Sequence, residues 1–130
     1  GASMIQPGIE SLSTPVLALM RKGAIGLQNI AFLRNAREAG IRINWNILAG
    51  FLGEKAVHYE AMVGQMAALV HLHPPTVVTP IDYPRFSPYH DRLADFGIEL
   101  RPASYYRYLY PFEESELREI AFFFERRGIE

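Results

Sequence analysis

Apolar and polar residues alternate from Ile41 to Gly50, with Ile41, Ile43, Trp45, Ile47 and Ala49 against Arg42, Asn44 and Asn46. A period of two sends the two sets to opposite faces of a strand. The apolar side is expected to meet helices, and the amide side something wetter. Ile5 to Glu10 has the same habit, with apolar residues on odd positions and Gln6, Gly8 and Glu10 on even ones. Thr76 to Ile81 reads as a third strand.

The intervening segments carry helical spacing. Ser13 or Thr14 caps a short helix with Pro15 at its first position, where a missing N–H costs nothing. Leu27, Ile30, Ala31, Leu33 and Ala36 give a second helix to about Ala39, and Gly40 takes the left-handed stop position. Tyr59, Met62, Val63, Met66, Ala67 and Val70 keep i, i+3, i+4, i+7 spacing in a third, from about Lys55 to Leu72, ended by Pro74-Pro75. Asp82 to Pro102 is loop-like, and so long an irregular segment points to function or mobility. Tyr105 to Tyr110 reads as a short extended piece. Glu113 to Arg127 reads as a C-terminal helix with acidic residues at its positive end and arginines at its negative end. Phe122 and Phe123 widen its apolar stripe beyond one face, as burial on two sides or a partner contact would.

Strand and helix in alternation, with crossovers of this length, imply parallel pairing. The expected fold is α/β: a partial (β/α) barrel of about three parallel strands with outer helices and a C-terminal helix. Three such units do not close a barrel, so the chain reads as a segment of something larger.

At 130 residues the chain is expected to form a single domain over 4–130, with Gly1-Ala2-Ser3 a tag remnant and the natural start at Met4. The 13 basic and 14 acidic residues leave a net charge of −1 without long blocks, which argues against a nucleic-acid partner. No apolar run approaches a membrane span and no signal-peptide pattern is present. The chain has no cysteine, which suits a cytoplasmic protein and removes disulfides and thiolate-held metal or iron–sulfur sites.

Several residues carry candidate chemistry. Glu10 and Ser11 sit at the C-terminal end of the first strand, where α/β folds place ligands; Glu10 accepts hydrogen bonds from a ligand, or caps the next helix or pairs with an arginine. Asn44 and Asn46 line a ligand-holding lumen as orienting amides, or are ordinary exposed polar positions. His71 and His73 have a spacing seen in metal sites, to which Asp82 and His90 would add ligands. Pro74-Pro75 instead places the pair at a helix end, where histidine meets the dipole favourably. Tyr105, Tyr106, Arg107, Tyr108 and Tyr110 mix aromatics with a cation, read as core packing or a peptide-facing surface rather than base stacking. No nucleophile elbow or phosphate loop stands out.

At Ile5 to Gly23, Asn44 to Glu54 and Arg85 to Tyr89 the chain resembles the radical S-adenosylmethionine (SAM) superfamily. The likeness is to its cobalamin-domain type, and to members that mature ribosomally made, post-translationally modified peptides. Gly8-Ile-Glu-Ser11, with Leu17 and Met20-Arg-Lys22, resembles the fourth strand and following turn of that barrel. Gly50-Phe-Leu-Gly-Glu54 is similar to its strand-five turn, with Leu52 where relatives carry proline. Arg85-Phe-Ser-Pro-Tyr89 and Tyr108-Leu-Tyr-Pro111 resemble segments distal to strand six.

The resemblance implies the C-terminal half of a barrel, with Glu10 and Ser11 close to SAM. The family's reaction also needs a [4Fe–4S] cluster on a Cys-x3-Cys-x2-Cys loop. Neither that loop nor the first three β/α units has a counterpart here. Cluster and cobalamin are therefore expected only in full-length relatives, SAM is the possible cofactor of this chain, and the chain alone is expected not to catalyse. Open strand edges lead to an expected homodimer, or to pairing with a missing N-terminal half-barrel chain, with a peptide as possible substrate. A binding module for SAM, a nucleoside or a peptide is the alternative reading, and a folded relic without ligand a further one.

Overall fold

A computed structural model describes residues 3–128. The chain divides into two compact units, one ending at Ile81 and the other beginning at Asp82.

The first unit runs β1 (Met4–Ile5), α1 (Thr14–Leu19), α2 (Gly26–Glu38), β2 (Arg42–Ile43), β3 (Asn46–Ala49), α3 (Ala56–Met66) and β4 (Val77–Pro80). β1 pairs with β2 in parallel, Ile5 opposite Ile43, and β3 pairs with β4 in parallel, Asn46 opposite Val77. β2 and β3 are two pieces of one extended stretch, broken only at Asn44-Trp45. Further bonds extend both ladders: Asn44 N–H donates to Ile5 O (3.0 Å) and Leu48 N–H to Glu10 O (2.9 Å) on one side. On the other, Thr76 N–H donates to Trp45 O (2.7 Å) and Ile81 N–H to Ala49 O (2.8 Å). The stretch thus has a parallel neighbour on each flank. The first strand is shorter than its alternation predicts, because Pro7 has no N–H to place in a ladder.

The expected apolar face is the buried one. Ile43, Trp45 and Ile47 pack with Leu33 and Ala36 of α2 and Met62 of α3, while Ile30, Tyr59 and Met66 close the margin. Trp45 is 1% exposed, and its indole N–H donates to His73 O at 2.9 Å. That bond satisfies the one polar atom of a buried indole. α3 stops at Met66 and passes into a 3₁₀ turn over Ala67–Leu69, short of the expected Leu72. Gly40 has φ +70 and ends α2 in the left-handed conformation, as its position predicts.

The second unit corrects several expectations. It contains β5 (Tyr83–Pro84), α4 (Pro88–Asp91), α5 (Leu93–Phe96), β6 (Leu100–Pro102), α6 (Tyr106–Leu109), α7 (Glu114–Ile120) and β7 (Phe123–Arg126). The segment read as loop from Asp82 to Pro102 holds two strands and two single-turn helices, and Tyr106–Leu109 is a helical turn rather than extended. The C-terminal helix ends at Ile120, and β7 runs antiparallel between β5 and β6, with Phe124 opposite both Tyr83 and Pro102. Leu117, Ile120, Ala121 and Phe124 fit a helical stripe, yet pairing with two strands distant in sequence overrides it. Arg85 secures the switch by donating Nε–H to Ala121 O at 2.8 Å, and a second N–H to Arg118 O.

One glycine carries the turn between α1 and α2. A Cβ on Gly26 would lie 1.9 Å from Leu12 O, and the Gly26 N–H donates to Thr14 Oγ1 at 3.0 Å. Gly64, inside α3, has open space around it. Gly26→Ala is therefore expected to destabilise by about 2 kcal/mol or more through overpacking. Gly64→Ala should stabilise by roughly 0.5–1 kcal/mol. Urea unfolding of the two variants checks both signs.

Candidate functional site

The C-terminal edge of the parallel strands holds a strained carboxylate. Glu10 has φ +56, a backbone conformation that L residues seldom adopt. The Ser11 N–H donates to Ile9 O at 2.6 Å, so Glu10 is the centre of a three-residue γ-turn of the uncommon hand. Such a conformation persists only where its surroundings over-determine it. Here the Asn29 side-chain amide, from α2, donates to Ile9 O (3.1 Å) and to Ser11 O (2.8 Å), clamping the carbonyls on both sides of Glu10.

Ser11 completes that clamp from below. Its side chain is fully buried; Oγ accepts the Ser13 N–H at 3.0 Å and lies 4.0 Å from Met62 Sδ. The hydroxyl thus holds the turn onto α3. Glu10 points to solvent instead, and its carboxylate pairs with Lys22 Nζ at 2.8 Å, both side chains about one-third exposed. The partner is this lysine and not the arginine expected for Glu10. An exposed pair of this kind contributes little to stability, so a ligand can displace the ammonium at small cost.

The two asparagines part company. Asn44 Oδ1 accepts a hydrogen bond from the Thr76 hydroxyl and ties the central stretch to the segment entering β4. Asn46 is half-buried and makes no side-chain hydrogen bond among the described residues. Its register with Val77, and that of Leu48 with Thr79, puts these four on one face, opposite the helices. Among the described residues no hydrogen bond or ion pair joins Glu10 or Ser11 to Asn44 or Asn46.

Sequence reading did not single out Glu54, a carboxylate with three partners. Glu54 closes the turn after β3: it accepts the Gly50 N–H at 2.9 Å, the Phe51 N–H at 3.0 Å and the Tyr59 hydroxyl at 2.6 Å. Gly50 (φ +95) and Gly53 (φ +86) supply the left-handed corners. A glutamate following two such glycines was the available signal. Burial, followed by the bond to the Glu54 carboxylate and its charge, pushes the Tyr59 hydroxyl pKa well above its ordinary value.

The other candidates are structural or solitary. The His73 carbonyl receives the Trp45 indole, and His71 is exposed. His90 pairs with Asp91 at 2.9 Å and stacks at a tilt on Phe124. Among the described residues no group of three or more His, Asp or Glu is placed to hold a metal ion. Tyr105, Tyr106, Tyr110 and Phe112 form a stacked series, and the Tyr106 hydroxyl accepts the Phe122 and Phe123 N–H groups. Tyr108 is 89% exposed, and Phe122 and Phe123 also face solvent. Comparison with protein-family models, curated proteins and solved structures finds no match.

Two outcomes test this description. Glu10→Gly should be more stable than Glu10→Gln by about 1 kcal/mol, because both lose the ion pair and only glycine relieves the left-handed strain. Thermal unfolding of the pair measures the difference. Tyr59 binds its proton more tightly folded than unfolded, so that contribution is intact below the ordinary tyrosine pKa of 10.0 and is lost as pH rises beyond it. Stability of the wild-type chain should accordingly fall more steeply above pH 10 than that of Tyr59→Phe in parallel denaturant titrations.

Proposed function

We infer that this chain is a binding module, taking a ligand at the C-terminal strand edge, and is not a self-sufficient enzyme. The observation that carries the reading is Glu10: a left-handed, clamped residue whose carboxylate is held at the surface by one lysine. Strain of this kind collects at ligand sites because it fixes a side chain before the ligand arrives. A carboxylate so fixed accepts hydrogen bonds from vicinal hydroxyls or an amino group. SAM and nucleosides present both, and the motif likeness around Gly8-Ile-Glu-Ser11 favours SAM among them.

The resemblance to radical SAM peptide-maturation enzymes supports descent from the C-terminal half of such a barrel. The parallel arrangement around Arg42–Ala49 is compatible with three adjacent barrel strands. A thiolate-held iron–sulfur cluster does not fit this cysteine-free chain, and no step through one is proposed. A second reading, half of an enzyme completed by another chain or by a second copy, rests on β4. Among the described residues that strand has one neighbour, β3, and its Val77 and Val78 are 47% and 63% exposed. An open strand edge is a template for further pairing, so an added strand, from a homodimer or from a half-barrel partner, would complete the sheet. The lack of cysteine agrees with a cytoplasmic setting, and among the described residues no helix is long and apolar enough to cross a membrane.

Calorimetric titration with SAM tests the reading. Saturable heat at one site per chain, or one per pair, weakened roughly tenfold or more in Glu10→Gln, is the expected result. Absence of heat at millimolar SAM and nucleoside overturns the strand-edge site and leaves assembly through β4 as the route to function.

A further inference from the structure

The opposite end of the same strands carries a different chemistry. A cleft of about 640 Å³ opens where β1 and β2 begin, walled by Met4 and Ile41 and lined by Arg37, Arg42 and His73. Arg37 stands in the last turn of α2 and Arg42 opens β2. Both are exposed, and among the described residues no acidic side chain lines the cleft. Arg34, one turn earlier on α2, is occupied by Asn35 and Glu38. Arg37 and Arg42 have no ion-pair or hydrogen-bond partner for their guanidinium groups among the described residues. His73 forms part of the wall.

We propose that this cleft binds the phosphate group of a small organic phosphomonoester. Two unpaired guanidinium groups offer forked donors matched to phosphate oxygens, and their combined charge matches a dianion better than a single carboxylate. The volume lies within the ~300–1,000 Å³ of small-molecule sites, which leaves room for the group that carries the phosphate. Met4 and Ile41 give that group an apolar wall. The site stands apart from Glu10, and its chemistry is opposite in sign.

Phenyl phosphate is the probe, titrated into the full chain by calorimetry at low ionic strength, where screening is weak. Saturation at one site per chain is expected, with affinity lowered at least ~tenfold in the double variant Arg37→Ala/Arg42→Ala. Both arginines are exposed, so an unchanged thermal midpoint shows that the variant is folded. Arg34→Ala should leave the affinity within about twofold. Heat that does not saturate, a double variant that binds unchanged, or Arg34→Ala weakening binding as much as the double variant overturns the site. Phenylacetate binding as tightly as phenyl phosphate overturns the phosphate assignment.

Discussion

The backbone from Arg42 to Ala49 lends its hydrogen-bonding groups to neighbours on both flanks, and the first unit is arranged around that fact. One side takes Ser3, Ile5 and Glu10 through their carbonyls, and the other takes Thr76 to Ile81. A stretch bonded on both edges has its side chains divided between two faces. Ile43, Trp45 and Ile47 accordingly go under α2 and α3, while Asn46 and Leu48 go to the opposite face. The Leu48 N–H also fixes where Glu10 can be, because it donates to that residue's carbonyl at 2.9 Å.

From this constraint comes the unusual state of Glu10. Its carbonyl is committed to Leu48 and its flanking carbonyls to Asn29, while the next residue is buried against Met62. With every neighbour fixed, the side chain is left to leave the turn on a left-handed backbone. The division of labour between adjacent residues is sharp: Ser11 carries the packing and Glu10 the exposed charge. Glu54 shows the contrary use of a carboxylate, turned inward onto its own loop and capped by Tyr59.

Local periodicity made much of the first unit legible. The alternation through Ile41–Gly50 and the stop at Gly40 were readable because each depends on neighbouring residues. Glu10 was readable as a candidate from its place at a strand end. Its clamp was not, since Asn29 acts across eighteen positions of sequence. The second unit was misread for a related reason. Phe122-Phe-Phe-Glu-Arg-Arg127 carries residues compatible with helix or strand, and the decision lies with Tyr83–Pro84 and Leu100–Pro102, far back in the chain. Nor does composition reveal that Arg37 and Arg42 share a cleft, which follows from the turn at Gly40 between them.

One extended stretch, bonded along both edges, should hold the segments on its two flanks as a single cooperative body. Native-state hydrogen exchange resolved by residue tests it most directly. The amides of Asn44 and Leu48, bonded to the first segment, and of Thr76 and Ile81, in the other, should exchange with a common free energy close to that of global unfolding. Rapid exchange at Asn44 and Leu48, comparable with the exposed turn at Gly23, while Thr76 and Ile81 stay protected, would contradict it.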